Sequence, residues 1–212
     1  SGAHVSVCFA TNGEYASEAD AAVRAAESRS VLAALGVPAE QLYFLGYPDT
    51  GMPYEESFLR RLYDGCRVSA SRWGRTETWR PDGQDFHFMR SGCHGTYTAA
   101  SVLRDLSDVL ALVNPDTVYV TAPGDCHGDH DALGRFTTQA VAAMENPPAL
   151  YYYLIHADRT DIWPERDAER FRLPPMAADH PLLRCAAERR PLPDGFPPAE
   201  KYSLIQSYTS QD

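Results

Sequence analysis

TVYVTAPGDCHGDHDALG, residues 117–134, decides how the chain is read. Thr117 to Thr121 alternates β-branched and aromatic residues, the composition of a strand. Pro123 and Gly124 break the run and turn the chain. From Asp129 to Met144 the apolar residues recur at helical spacing. Strand, polar loop and helix in this order form the unit from which parallel sheets are built, and open α/β sheets bind ligands at the C-terminal ends of their strands. The loop between the two elements packs Asp125, His127, Asp129, His130 and Asp131 into seven residues.

The same alternation extends in both directions. Val5 to Ala10 is a nearly continuous apolar run, as in a strand buried on both faces. Ser17 and Asp20 offer a helix cap, a helix runs to Leu35, and Gly36 and Pro38 end it. Leu42 to Leu45 predicts a second strand and 46–53 a loop. Glu55 to Asp64 predicts a short helix. Thr98 caps a strongly amphipathic helix that ends at Val113 before Asn114-Pro115. Leu150 to Ile155 predicts a fourth strand, and Tyr202 to Tyr208 a last extended piece. Segment 65–95 shows no clear period. Together these predict a single α/β domain over 1–212: a three-layer, Rossmann-like arrangement around a mostly parallel sheet. Segments 65–95 and 156–200 would form its rim.

Composition narrows the function. The chain has 212 residues, 44% hydrophobic and 23% charged, with twelve Tyr, eight Phe and three Trp. That profile supports a packed core and excludes disorder as the general state. No apolar run reaches the 18 residues of a membrane span. A formal charge of −10, with Lys201 the only lysine, argues against nucleic acid or an anionic leaflet as partner. Five scattered cysteines without a C-x-x-C give no disulfide framework, and no signal peptide pattern opens the chain. A reducing, cytoplasmic location is expected.

Each candidate residue has a plain structural reading beside its chemical one. Glu14 in Thr11-Asn-Gly-Glu14 fits a solvated turn. Arg24 and Glu27 fit a surface pair one helical turn apart. Asp49 in Gly46-Tyr-Pro-Asp-Thr-Gly51 fits an Asx-turn. The acidic residues at 129 and 131 fit a helix N-terminus, but the dipole there disfavours a protonated imidazole, so it does not account for His127 and His130. Two histidines three apart can divide the labour, one binding metal and the other donating a hydrogen bond. Aspartate beside them can orient an imidazole. Two ligands fall short of the three a catalytic zinc takes from protein. His87 and His94 are further candidates to complete the set, and Cys126 has no evident activating base.

Taken in order, these pieces resemble the PIG-L or LmbE-like family of zinc-dependent N-acetylglucosaminyl de-N-acetylases. The resemblance rests on the first strand with Thr11-Asn-Gly-Glu14, Arg24-x-x-Glu27 with Leu35-Gly36, Leu45-Gly-x-Pro-Asp49, His127-x-Asp-His130, and Lys201 with Ser210-Gln211. It covers about 200 residues. It implies a Rossmann-like fold with zinc at the strand ends, His130 as metal ligand, and His127 and Asp129 as catalytic residues. Glu14, Arg24 and Asp49 would bind the sugar. The family's opening strand, ending in a His-Pro-Asp-Asp-Glu motif, does not occur here. The resemblance therefore implies one Zn2+ per site, with two further ligands from an N-terminal segment not in this chain.

The expected activity is hydrolysis of an acetyl group from an N-acetylglucosamine-type sugar or glycoconjugate, once that segment is supplied. The expected partners are the small-molecule substrate and that polypeptide segment; a homo-oligomer is compatible with the sequence. The alternative is a non-catalytic carbohydrate-binding or interaction domain derived from such an enzyme. A dinucleotide-binding domain is weaker, since no G-x-G-x-x-G follows any strand.

Overall fold

Two β-α-β units hold the four described strands. The computed structural model describes residues 2–51, 54–157, 176, 178–186, 188 and 198–211. The chain divides into two compact units, one from 1–48, 78–94 and 187–212, the other from 49–77 and 95–186.

In the first unit, β1 (Val7–Thr11) pairs in parallel with β2 (Leu42–Tyr47), and α1 (Asp20–Ala34) makes the crossover. Val7 lies opposite Leu42 and Phe9 opposite Phe44; the register then slips, so that Thr11 meets Tyr47. Phe9 and Phe44 stack with ring centres 4.8 Å apart, and Ala25, Val37 and Leu42 are buried with Phe44. Helix α1 closes as the sequence predicts. The Gly36 N–H donates to Ala33 and the Val37 N–H to Leu32, with Gly36 at φ 81°, a left-handed C-terminal motif that suits glycine. Its start differs: Ala19 occupies the cap position, and the Ser17 hydroxyl accepts from the Ala19 N–H.

A short helix, α3 (Phe86–Ser91), lies within the segment that shows no period in sequence. Asp85 caps it by accepting from the Phe88 N–H at 3.0 Å, and Phe86 meets Tyr43 of β2 edge to face. The extended piece predicted at 202–208 is instead α6 (Pro198–Gln206), with its apolar Tyr202 and Ile205 exposed. Tyr and Ile favour strands, but Pro198 at the first helical position and Ala199, Glu200 and Lys201 after it favour a helix. Beyond α6, Glu27 of α1 accepts from the Ser210 hydroxyl at 2.6 Å, the Ser210 N–H and the Thr209 hydroxyl.

The second unit holds α2 (Phe58–Tyr63), α4 (Ala99–Val113), β3 (Thr117–Thr121), α5 (Gly128–Ala142) and β4 (Ala149–Tyr153). Strands β3 and β4 pair in parallel without a slip, from Thr117 opposite Ala149 to Thr121 opposite Tyr153, and α5 is their crossover. Among the described residues the four strands form two parallel pairs, each crossed by a helix, in keeping with the α/β, Rossmann-like fold that the alternation predicts. Each pair is complete as a strand-helix-strand unit. Thr98 caps α4 as expected, accepting from the Ser101 N–H, and Asn114 ends it at φ 46°. A Cβ added at Gly134 of α5 would collide with the Thr121 carbonyl and stand 2.9 Å from Pro123, so the helix lies directly against the end of β3. No helix among the described residues is long and apolar enough to cross a membrane.

A buried carboxylate clamps α2 to α5. Asp131 is 1% exposed and accepts from Arg60 at 2.5 Å, from the Arg135 Nε–H at 2.9 Å and from the Gly124 N–H at 2.7 Å. Arg60 also pairs with Asp64 and lies over the Tyr54 ring. Burial by itself raises the proton affinity of Asp131, but Arg135, the Gly124 N–H and Arg60 outweigh it and hold the pKa below its ordinary value. The contribution of this carboxylate is therefore present above the unfolded value of about 4 and is lost as pH falls through the folded one. Asp131→Asn should cost about 2–4 kcal/mol at pH 7, because it leaves two guanidinium groups without their shared partner. Thermal melts from pH 7 down to pH 2 test this; the difference between variant and parent should shrink toward the acid end.

Candidate active site

The loop after β3 is held from several sides. Its Ala122 N–H continues the ladder by donating to the Tyr153 carbonyl of β4, and its Cys126 N–H donates to the His156 carbonyl at 2.9 Å. Gly124, at φ 91°, donates to Asp131 and accepts from His180 Nε2 at 3.1 Å. The Thr121 hydroxyl donates to the His130 carbonyl, tying the first turn of α5 to the end of β3.

Asp125 is the hub. Its carboxylate is 1% exposed. One oxygen accepts from the His127 N–H at 2.9 Å, and the other from the Ile155 and His156 N–H groups at 3.0 and 3.1 Å. The first oxygen also faces His130 Nδ1 at 3.3 Å, an ion-pair distance whose alignment falls short of a hydrogen bond. Burial alone raises the Asp125 pKa, yet the His130 ring and the backbone N–H groups reverse this and lower it.

The two histidines of His127-x-Asp-His130 turn their Nδ1 atoms to different partners. His127 is the N-cap of α5, and its Nδ1 accepts from the Asp129 N–H at 3.2 Å. A neutral ring that accepts at Nδ1 carries its proton on Nε2, so His127 presents a donor to its surroundings. His130 turns Nδ1 toward the Asp125 carboxylate; a neutral ring with its proton on that edge keeps the lone pair on Nε2. This carboxylate–imidazole arrangement is the one that metal-binding histidines adopt. The rings stack at 4.3 Å with planes 17° apart. His156, three residues beyond β4, brings a third imidazole, 5.3 Å from His130 and 5.8 Å from His127.

Burial and the neighbouring His130 push the His127 pKa down from 6.5 to about 4; Asp49 opposes the shift. Asp49 therefore lies close enough to act on His127. Its carboxylate also accepts from the Gly51 N–H at 2.8 Å, the Asx-turn expected from sequence. Asp129 sends one carboxylate oxygen to the Leu59 N–H at 2.7 Å, anchoring α2, so the carboxylate that faces His130 is that of Asp125.

Glu14 and Arg24 belong to the first unit. Glu14 is fully buried, and Arg24 lies over Gly13, where an added Cβ would stand 2.5 Å from its Cδ. His87 and His94 are in that unit too: His87 is buried in α3, and His94 pairs with the buried Asp85 and packs on Phe88. Among the described residues no three His, Cys, Asp or Glu side chains gather so as to hold a metal ion. The sequence reading missed His156 and His180. The signal for His156 was available, since it follows the fourth strand and so falls at the same end of the sheet as the loop after the third.

His127 should stay neutral to about pH 4. Since its folded value is below the unfolded 6.5, the unfolded chain binds more protons between these limits, and stability falls as pH drops from about 6.5 toward 4. His127→Gln should flatten that part of the stability profile. Denaturant melts across the window, with imidazole resonances followed by NMR, check both statements.

No curated protein and no solved structure gives a match. The family model described as GlcNAc-PI de-N-acetylase, PIG-L, matches residues 1–141, which contain β1, β2, β3 and the whole His127–His130 segment. The chain belongs to the PIG-L family.

Proposed function

We propose that the chain carries the centre of a zinc-dependent de-N-acetylase acting on an N-acetylglucosamine-type sugar or conjugate. Membership of the family supports hydrolysis of the de-N-acetylase type, and the family is generally zinc-dependent. The observation that carries the reading further is a pair of imidazoles three residues apart, one with Nδ1 on the Asp129 N–H and the other with Nδ1 toward Asp125. His130, with Nδ1 toward Asp125, fits a metal through Nε2. Its neutral form is the one that donates a lone pair.

A zinc ion held there supplies Lewis-acid polarisation of the acetyl carbonyl and a water of lowered pKa. His127 does the proton work on the protein side. Its Nε2–H donates to charge developing on the reacting amide, and Asp129 contributes by fixing the His127 ring through its backbone N–H. Asp49, beside His127, holds a sugar hydroxyl, and Glu14 and Arg24 contribute further polar contacts to the sugar. Acetate and a free amine are the products.

The lack of a three-ligand group among the described residues favours one second reading, a carbohydrate-binding domain without catalysis. It predicts sugar binding that a chelator leaves unchanged.

Zinc content and acetate release from N-acetylglucosamine conjugates, measured side by side, test the assignment. His130→Ala should lose metal and turnover together. His127→Ala should keep the metal and lose about 10²–10³-fold in rate, the scale of one missing oxyanion donor. Zinc retained in His130→Ala, or lost equally from both variants, would overturn the roles.

A further inference from the structure

His156 has no part in the chemistry described above, yet its position is specified closely. Its N–H donates to Asp125 and its carbonyl accepts from Cys126, so its backbone is fixed on both sides to the loop that carries His127. Its ring lies 5.3 Å from that of His130, with planes 25° apart. His130 needs such a neighbour. Its Nδ1 faces Asp125 at 3.3 Å without the alignment of a hydrogen bond, and so weak a contact does not by itself fix the ring. Rotation of the imidazole about its Cβ–Cγ bond would exchange the edge that faces the carboxylate for the edge that must face a ligand. The rotational wells of such a bond are broad and two-fold. Flat neighbours on its surface restrict that turn.

We propose that His156 is a positioning residue: its ring, with that of His127, holds the His130 imidazole with Nδ1 toward Asp125 and Nε2 outward. The inference rests on His130 being the metal ligand only for its consequence, not for its geometry. His156 acts through its flat face, so its nitrogens are dispensable. An aromatic hydrocarbon of similar width should replace it, and a small side chain should not.

The experiment compares His156→Phe, His156→Ala and the parent protein in two measurements. The first is the tautomer of His130 in metal-free protein, read from imidazole nitrogen shifts under 15N labelling. The parent and His156→Phe should show a single form with the proton on Nδ1, and His156→Ala a mixture. The second is zinc affinity by titration against a competing chelator. His156→Ala should lose about 10–100-fold, as when the outer support of a ligand is removed, and His156→Phe should stay within a few-fold of the parent. A His156→Phe variant as impaired as His156→Ala would show that a nitrogen is required and overturn the proposal. So would a His156→Ala variant with an unchanged His130 tautomer. A parent protein that binds no zinc, but whose His130 tautomer responds as described, would refute the zinc reading and leave the positioning role standing.

Discussion

An ionised carboxylate buried at the end of a parallel sheet must have its charge answered, and the answer given to Asp125 organises everything around it. Three backbone N–H groups and one imidazole converge on its two oxygens. Two of the N–H groups come from the chain leaving β4 and one from the turn into α5. The carboxylate therefore joins the exits of two neighbouring strands, which a parallel pair leaves with no hairpin to connect them. Unanswered burial of such a charge is prohibitively costly, so the convergence is a condition of folding before it is a device of chemistry. The imidazoles of His127, His130 and His156 meet because the backbone N–H groups of His127 and His156 and the ring of His130 are drawn to the same carboxylate.

The parts of this arrangement that depend on local rules were legible in the sequence. Strand β3 occupies 117–121 as its β-branched pattern predicts, and Thr98 and Asn114 bound α4 as capping chemistry requires. The loop after β3 stood out because histidine at a helix start runs against the dipole. Contacts across long stretches of chain were not legible. Asp129, next in sequence to the histidines, reads as their partner; Asp125 has that place because the turn at Gly124 points it back toward β4, thirty residues further on. The position of His156 after β4 was legible, but its contact with Asp125 was not. Helix α3 escaped notice because six residues among glycines and aromatics give too short a window for a period, and only the Asp85 cap and the left-handed Gly92 define it. At 198–206 the strand-forming Tyr and Ile yielded to the helix formers ahead of them.

Asp131, two residues beyond the Asp129 tether, serves a different need. It faces two arginines and Gly124, and its work is to bring α2 onto α5 and to shape the loop. Three aspartates within seven residues thus have three separate tasks: Asp125 joins the strand exits, Asp129 holds α2 through Leu59, and Asp131 neutralises Arg60 and Arg135. An acidic cluster in sequence is here no cluster in space, and its charges do not sum at one point.

Helix capping also distinguishes the two rings. The first N–H groups of any α-helix lack partners within it, and the residue before the helix usually supplies an oxygen to one of them. His127 stands in that place and uses Nδ1 instead, satisfying the Asp129 N–H. That use has a chemical consequence. The lone pair on Nδ1 is committed, so the ring's proton must sit on Nε2, and Nε2 cannot then bind a metal. A second proton would have to displace the cap while standing at the positive end of the helix and beside a stacked imidazole. The low pKa of His127 expresses the burial and the neighbouring ring together. His130 lies within the first turn, where the cap makes no demand on its ring, and Asp125 draws its proton to Nδ1. A spacing of three residues across a helix start therefore yields one donor and one lone pair from identical side chains. The division follows from the helix cap on one ring and the Asp125 carboxylate beside the other, and it does not depend on which ligand meets the outer edges of the stacked pair.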